Sequence, residues 1–206
     1  ENGYTFTNSH TPETINIEGT KTWNDTNDQD GKRPGKITVN LLADGDIYAT
    51  KEVTEADGWK YNFTDLPKYK NGNKITYTIT EDTVEDYQTL VNGYDITNSY
   101  TPGKTSVSVT KTWDDADNQD GKRARNIKVR LLADGNVVAD SEVDLSDANN
   151  WSHTWSDLDI NKNGSPIEYT VEEITSVEGY ATVITGSAKT GYIIKNSYTP
   201  ETTSIS

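Results

Sequence analysis

The sequence contains no cysteine among its 206 residues. No disulfide can therefore form, and no thiolate is present to bind a metal ion or to act as a nucleophile. Histidine is also scarce, because His10 and His153 are the only two. They lie in different halves of the chain, so we expect no histidine-based catalytic site, no metal site and no cofactor. We predict that His153 lies on the polar face of its strand.

An excess of positive charge and long apolar runs are also lacking. The formal net charge is −14, and an acidic surface repels the phosphate groups of nucleic acids and of anionic membranes. No apolar run is long enough to cross a bilayer, and no signal peptide or sorting motif is visible. We therefore expect no nucleic-acid partner and no association with a membrane.

What the sequence does have is an internal repeat. Residues 20–45, TKTWNDTNDQDGKRPGKITVNLLADG, match residues 110–135, TKTWDDADNQDGKRARNIKVRLLADG. A second motif closes each copy, at 93–102 and 191–200, and a third copy of it, GYTFTNSHTP, stands near the start of the sequence. Such self-similarity indicates a tandem array. We predict domains at 13–102 and 103–200, with 1–12 as the last strand of a preceding repeat and 201–206 as the start of a following repeat or a linker.

Each repeat reads as a series of short runs in which apolar and polar residues alternate, separated by turn residues such as Asp44-Gly45 and Asn71-Gly72. No segment has the period of a helix. About seven such runs in a repeat of roughly 90 residues are typical of an immunoglobulin-like sandwich. The sequence therefore predicts an all-β chain of two tandem immunoglobulin-like β-sandwich domains. The strands predicted for the first domain are 14–23, 36–43, 46–54, 58–64, 74–82, 86–91 and 94–100.

Alternation along the strands also places three polar residues of each repeat on the core face. In the first strand of the second repeat, Lys111 shares a face with Val107, Val109 and Trp113. The same test turns one glutamate and one asparagine of each repeat inward. The inward polar residues are Lys21, Glu81 and Asn98 in the first repeat and Lys111, Glu173 and Asn196 in the second.

Two interpretations of this cluster remain open on the residues alone. The first is a buried Lys–Glu salt bridge capped by the Asn amide, although desolvation makes such bridges weak stabilisers. The second is covalent, because a desolvated lysine becomes a neutral nucleophile more readily. A protonated glutamic acid can then polarise the Asn carbonyl and pass a proton to the leaving ammonia. The product is a neutral isopeptide bond between the Lys and Asn side chains.

Four motifs, TKTWDDADNQDGKR, LLADG, YTVEE and TNSYTP, closely resemble the Cna protein B-type domain family, the B-region repeats of Gram-positive surface adhesins. The resemblance covers nearly the whole chain. It implies an inverse immunoglobulin-like fold and an intramolecular isopeptide bond, assisted by a glutamate in the pattern Y-x-V-x-E. By this resemblance the bonds are Lys21–Asn98, with Glu81 as the assisting acid, and Lys111–Asn196, with Glu173.

Other arrangements of polar residues are less convincing. The acidic loops 24–31 and 114–121 resemble calcium loops, but the EF-hand pattern fails at its sixth and twelfth positions. We predict solvated turns there, with weak calcium binding left open. Glu172 and Glu173 are adjacent in a strand and point to opposite faces, so they cannot act as a glycosidase pair.

The resemblance leads us to expect a stalk segment of a Gram-positive adhesin that is extracellular and anchored to the cell wall. We expect a monomer whose partners are neighbouring repeats of the same chain, with no direct host ligand. The only chemistry expected is a single-turnover crosslink within the chain, so we predict no enzyme. Two alternatives stay open: repeats that themselves bind host matrix or self-associate, and a carbohydrate-active domain.

Overall fold

The computed structural model describes residues 3–203, which form two compact units that divide between Thr101 and Pro102. Both units are built from β-strands, and the only helices in this range are single 3-10 turns at Glu55–Asp57 and Asp147–Asn149. The predicted all-β fold with two sandwich domains is confirmed. Residues 1–2 and 204–206, which belong to the two predicted flanking segments, lie outside the described range.

The first domain is a sandwich of a four-stranded and a three-stranded sheet. Its strands are β1 (Thr14–Asn24), β2 (Lys36–Ala43), β3 (Asp46–Thr54), β4 (Lys60–Pro67), β5 (Tyr69–Lys70), β6 (Asn73–Lys74), β7 (Tyr77–Glu81), β8 (Gln88–Asn92) and β9 (Asp95–Ser99). One sheet has the order β4-β1-β9-β8 and the other the order β3-β2-β7. Strand β1 runs antiparallel to β4 and parallel to β9. The short β5–β6 hairpin was not predicted.

The second domain repeats this plan. Its strands are β10 (Lys104–Asp114), β11 (Asn126–Ala133), β12 (Asn136–Val137), β13 (Val143–Ser146), β14 (Ser152–Asp159), β15 (Asn161–Lys162), β16 (Ser165–Pro166), β17 (Tyr169–Glu173), β18 (Ala181–Ser187) and β19 (Gly191–Ser197). One sheet has the order β14-β10-β19-β18. In the other, β11 pairs with β12, β13 and β17. Strand β10 is parallel to β19, as β1 is to β9.

Tight turns set the register of the hairpins. Asp44 and Gly45 connect β2 to β3, and both have positive φ angles, 50° and 95°. A two-residue turn with two positive φ angles matches the right-handed twist of the strands that it joins. Asp134 and Gly135 repeat the arrangement in the second domain, with φ angles of 49° and 76°.

Each domain has its own hydrophobic core, formed by the inward face of its two sheets. Burying an aliphatic side chain of this size stabilises a fold by about 1.5–3 kcal/mol before entropy is counted. The central strands of the smaller sheets contribute most regularly, because every second residue points inward. These buried residues are Ile37, Val39 and Leu41 on β2 and Ile127, Val129 and Leu131 on β11.

The edge strand that follows the Asp-Gly turn differs between the domains. Strand β3 is continuous, whereas the second domain has two shorter strands, β12 and β13, at the same place. Ser141 lies buried between them, and its hydroxyl donates to the Val138 carbonyl at 2.7 Å. The indole of Trp155 donates to the Ser141 carbonyl at 2.9 Å. The interruption therefore has its own hydrogen bonds and is a defined part of the structure.

The prediction that His153 lies on the polar face is wrong. His153 is half-buried and stacks edge-on against Trp155, with ring centroids 4.9 Å apart, because residues two apart in a strand share a face. Burial lowers the pKa of His153. His153 lies opposite Val109, and the equivalent pair of the first domain is Tyr61 opposite Gly19.

The segment before the first strand has no regular structure. Residues 3–13 form no strand, and the side chains of Tyr4 and Phe6 are exposed. The assignment of 1–12 to a preceding repeat therefore stays a prediction. Within residues 3–203, no helix has the length and apolar character needed to span a membrane.

Candidate functional site

Each domain holds one lysine, one glutamate and one asparagine between its two sheets. In the first domain Lys21 lies on β1 and Asn98 on the parallel neighbour β9, where Lys21 pairs with Ile96 and Asn98 with Trp23. Glu81 is the last residue of β7, in the facing sheet. The equivalent strands β10, β19 and β17 of the second domain carry Lys111, Asn196 and Glu173.

In the first domain the lysine and the glutamate are in direct contact. Lys21 Nζ lies 3.0 Å from Glu81 Oε1, and both side chains are completely buried. The two atoms are close but are not aligned for a hydrogen bond. Glu81 Oε2 accepts a hydrogen bond from Thr89 Oγ1 at 2.9 Å. The amide nitrogen and oxygen of Asn98 are buried without a partner.

In the second domain the glutamate reaches both of the other residues. Lys111 Nζ lies 3.7 Å from Glu173 Oε2, and Asn196 Nδ2 donates to Glu173 Oε1 at 2.9 Å. The side chains of Lys111 and Glu173 are 0% and 3% exposed. One carboxyl group therefore lies between an amine and an amide, away from water.

Polar atoms without a hydrogen-bond partner are concentrated in these two clusters. Among residues 3–203, ten buried side-chain nitrogen or oxygen atoms lack a partner, and nine belong to the Lys, Glu and Asn residues of the clusters or to Trp23 and Trp113. The tenth is the amide nitrogen of Gln29. Each such atom costs about 1–3 kcal/mol. Their accumulation in the same place in both domains calls for a chemical explanation.

Burial lowers the pKa of both lysines. The main cause is desolvation of the charged ammonium group, which the facing glutamate partly offsets. The pKa of Lys111 falls to about 8. About a tenth of Lys111 is then neutral at pH 7, which is far more than for an exposed lysine. Each site therefore holds an amine that can act as a nucleophile.

Sequence analysis missed one part of the site, the surroundings of the tryptophan. Lys21 Nζ lies over the Trp23 ring, 4.1 Å from its centroid, so this residue covers the amine as well as filling the core. Asp25 was assigned to a solvated turn, and this is wrong, because Asp25 is 2% exposed and its carboxylate is bound by Arg33. The available signal was the repeat itself, since Trp, Asp and Arg recur as Trp113, Asp115 and Arg123.

The acidic loops do not assemble a recognisable metal site. Among the residues that the structure describes, no three or more metal-binding side chains come together. Asp25 and Asp115, the innermost carboxylates of the two loops, are each paired with an arginine. What the clusters offer chemically is an amine, an acid and an amide enclosed in one dry space.

Both clusters lie within regions that match a known family. The sequence matches the Cna protein B-type domain twice, over residues 17–99 and 107–197. The chain belongs to this family. Each match contains one complete Lys–Glu–Asn cluster, so every Cna B-type domain of the chain carries its own site.

Similar proteins come from Staphylococcus aureus. A collagen adhesin is 54% identical over 200 residues, which make up 97% of this chain but only 17% of that protein. A crystal structure of a single B repeat unit of a collagen binding surface protein is 52% identical and covers 91% of this chain and 100% of its own, with a TM-score of 0.46. A structure of two B repeat units is also 52% identical, covers 93% of this chain and 51% of its own, and has a TM-score of 0.47.

Proposed function

We propose that each Cna B-type domain of this chain stabilises itself with an intramolecular isopeptide bond. The observation that carries the proposal is the concentration of unpaired buried polar atoms on a lysine, a glutamate and an asparagine in each core. A salt bridge would leave the Asn amide and much of this cost in place, whereas a neutral amide bond removes the buried charge. The proposed bonds are Lys21–Asn98 and Lys111–Asn196.

The reaction requires only the groups of the cluster. The neutral Lys amine attacks the side-chain carbonyl carbon of Asn, a new carbon–nitrogen bond forms, and the bond to the amide nitrogen breaks. The glutamic acid gives a proton to the leaving nitrogen and takes one from the attacking amine, so that it is regenerated. One ammonia molecule leaves for each bond. The reaction occurs once in each domain, and we propose no activity on other molecules.

The reactive state contains one proton shared between lysine and glutamate. A neutral amine beside a protonated acid has the same number of protons as the ion pair, so the two forms interconvert without exchange with solvent. A dry site favours the neutral form, because neither group then carries a buried charge. Above the lysine pKa the site loses this shared proton, and the reactive form with it. For Lys111 the reaction should therefore slow above about pH 8.

At the level of the whole protein, we propose that the two domains are spacer repeats in the stalk of an adhesin anchored to a Gram-positive cell wall. Support comes from membership in the B-type family, from the tandem arrangement and from the 54% sequence identity to a staphylococcal collagen adhesin. The proposed bond also joins the strands by which the chain enters and leaves each domain. Neighbouring repeats of the same chain are then the partners, and the chain is a monomer without a direct host ligand.

The decisive experiment is the intact mass of the purified chain. We expect the mass to be lower than the sequence value by two ammonia molecules. Lys111→Ala and Asn196→Ala should each be lighter than their own sequence by only one ammonia molecule. Lys195→Ala should still be lighter than its sequence by two. Lys195 is the matched control because it neighbours the asparagine but is exposed and paired with Asp114. A mass equal to the sequence value would leave only the buried salt bridge.

A further inference from the structure

A cluster of arginine, aspartate and tyrosine lies beside each site. In the second domain Arg123 donates to both carboxylate oxygens of Asp115, from Nε at 3.0 Å and from Nη2 at 2.6 Å. The hydroxyl of Tyr180 donates to the same carboxylate at 2.8 Å. The Asp115 side chain is 1% exposed and the Arg123 side chain 26%. A two-pronged pair of this kind fixes the orientation of the guanidinium group as well as its position.

The cluster is connected to the lysine through Trp113. Lys111 Nζ lies 4.4 Å from the centroid of the Trp113 ring, and the central carbon of the Arg123 guanidinium lies 5.7 Å from it. The rings of Tyr180 and Trp151 pack edge-on against the same indole, at centroid distances of 5.2 and 5.3 Å. The indole thus lies close to both the buried amine and a partly exposed guanidinium group.

The first domain has the same arrangement. Arg33 donates to Asp25 from Nε at 3.0 Å and from Nη2 at 2.7 Å, and the hydroxyl of Tyr87 donates at 3.0 Å. The Arg33 guanidinium lies 5.6 Å from the centroid of the Trp23 ring. Two copies that have diverged in sequence elsewhere therefore keep the same contacts to within about 0.2 Å, an agreement tighter than the usual spread of hydrogen-bond lengths.

The backbone of the loop is strained in both copies. Three consecutive residues have left-handed φ angles, 56–58° at 26–28 and 49–60° at 116–118. None is glycine, and each costs on the order of 1 kcal/mol. The aspartate offsets part of this cost, because the Asp115 carboxylate accepts a hydrogen bond from the Asn118 backbone at 3.0 Å. A strained loop kept in both domains is a reason to look for a role beyond stability.

We propose that Arg123 and Asp115 are positioning residues for the crosslinking reaction. They hold Trp113 over the lysine, which keeps water away from the Lys–Glu pair and so raises the population of its neutral, reactive form. Arg33 and Asp25 have the same role for Trp23 in the first domain. The inference rests on the proposed isopeptide bond.

The pH dependence of the reaction can report on this role. The ionisable group that faces Lys111 is Glu173 from the opposite sheet. Arg123 and Tyr180 lie against Trp113, and both bind Asp115. Arg123 holds the pKa of Asp115 well below its usual range, and burial raises the pKa of Tyr180 to about 12. Between about pH 5 and pH 9 these groups and the arginine keep their charge, so the profile reports on the Lys–Glu pair alone.

The test is the rate of crosslinking in the whole chain as a function of pH. The chain is made by chemical synthesis and kept unfolded in denaturant, so that no bond has formed at the start. It is refolded by dilution at a series of pH values, quenched with acid, and the bond is quantified from the masses of its peptides. The variant is Arg123→Gln, and the first domain is the internal reference. Arg130→Gln is the matched control, because Arg130 is an equally exposed arginine whose Nε lies 2.7 Å from Glu172 on the outer face of the sheet.

We expect Arg123→Gln to let water reach Lys111 and to raise its pKa. Each unit of increase lowers the population of the neutral pair about tenfold, so the rate at pH 7 should fall about tenfold for each unit by which the pKa rises. The pH at which the reaction begins to slow should move from about 8 to a higher value. Arg130→Gln and the first domain should be unchanged. Arg123→Lys, which keeps the charge but not the two-pronged contact, should be intermediate.

Other outcomes overturn the proposal. A rate that falls without any movement of this pH limit would show that the cluster only stabilises the domain. An unchanged rate would show that the cluster does not act on the reaction. If neither domain of the unmodified chain loses ammonia, the isopeptide proposal fails and this inference fails with it. If both domains lose ammonia but Arg123→Gln behaves normally, the positioning role alone is wrong.

Discussion

At the scale of single residues, the proposed crosslink requires the glutamate. Glu173 contacts Lys111 through one oxygen and Asn196 through the other. Glu81 contacts Lys21 in the same way, but its second oxygen accepts a hydrogen bond from Thr89. Lysine neutrality and acid protonation are separate requirements, because a neutral amine without an acid has no means of releasing ammonia from the amide.

Glu173→Gln separates these two requirements. Gln has nearly the same shape but cannot transfer a proton, so we expect the second domain to keep its fold and to lose its crosslink. The loss should persist at about pH 9, where Lys111 is largely neutral. Glu172→Gln is the control, since Glu172 is adjacent in β17 but 46% exposed. Peptide mapping that finds the Lys111–Asn196 bond in Glu173→Gln at high pH would show that amine neutrality is sufficient.

At the scale of strands, one pair of facing residues differs in size between the domains. The pair lies on β1 and β4 in the first domain and on β10 and β14 in the second. A Cβ atom on Gly19 of β1 would lie 2.5 Å from ring and hydroxyl atoms of Tyr61 and 2.0 Å from the Tyr94 carbonyl oxygen. Tyr61 uses this space to donate a hydrogen bond to that carbonyl. In the second domain the volume is divided more evenly between the two strands, with Val109 on β10 opposite His153 on β14.

Gly19→Val should therefore destabilise the first domain by about 1–3 kcal/mol, the usual cost of overpacking. Combining it with Tyr61→His, which copies the pair of the second domain, should restore part of the loss. Calorimetric unfolding temperatures of the first domain would measure the effect, with the second domain as the internal reference. Strictly additive effects of the two substitutions would contradict the proposed exchange of volume between the strands.

The same elements explain how much of the structure the sequence predicts. Alternation identified Lys21, Glu81 and Asn98 as inward-facing, because a period of two residues holds along a regular strand. Residue type was a poorer guide, since His153 was judged by its polarity and not by its position two residues from Trp155. The cluster of arginine, aspartate and tyrosine was not predicted, because loops bring Asp25, Arg33 and Tyr87 together and no strand period relates them.

At the scale of the whole molecule, each domain is chemically complete. In each domain the Lys, Glu and Asn of the site, the covering tryptophan and the cluster of arginine, aspartate and tyrosine all belong to one compact unit. A substitution in one domain should therefore leave the crosslink of the other unaffected. This independence makes each domain the natural control for its neighbour, and it allows an array to be extended by adding repeats.

The consequence of the two bonds for a stalk is mechanical. In each domain the first and last strands are parallel neighbours, and each proposed bond joins that pair. Closing a loop that contains nearly the whole domain stabilises it by on the order of 4–5 kcal/mol in the chain-entropy treatment. The effect under tension is larger, because force enters through the first strand and leaves through the last. With the proposed isopeptide bond in place, the force would pass through that bond and would not reach the rest of the sandwich.

Single-molecule stretching should therefore show no unfolding step from either domain at forces that open ordinary β-sandwiches. The segments protected from extension are 22–97 and 112–195, which the proposed bonds enclose. Lys21→Ala combined with Lys111→Ala should show two unfolding steps, and either substitution alone should show one. The single variants also identify which domain opens, because the two enclosed segments differ in length. An unmodified chain that extends to its full contour length would mean that tension does not pass through these bonds.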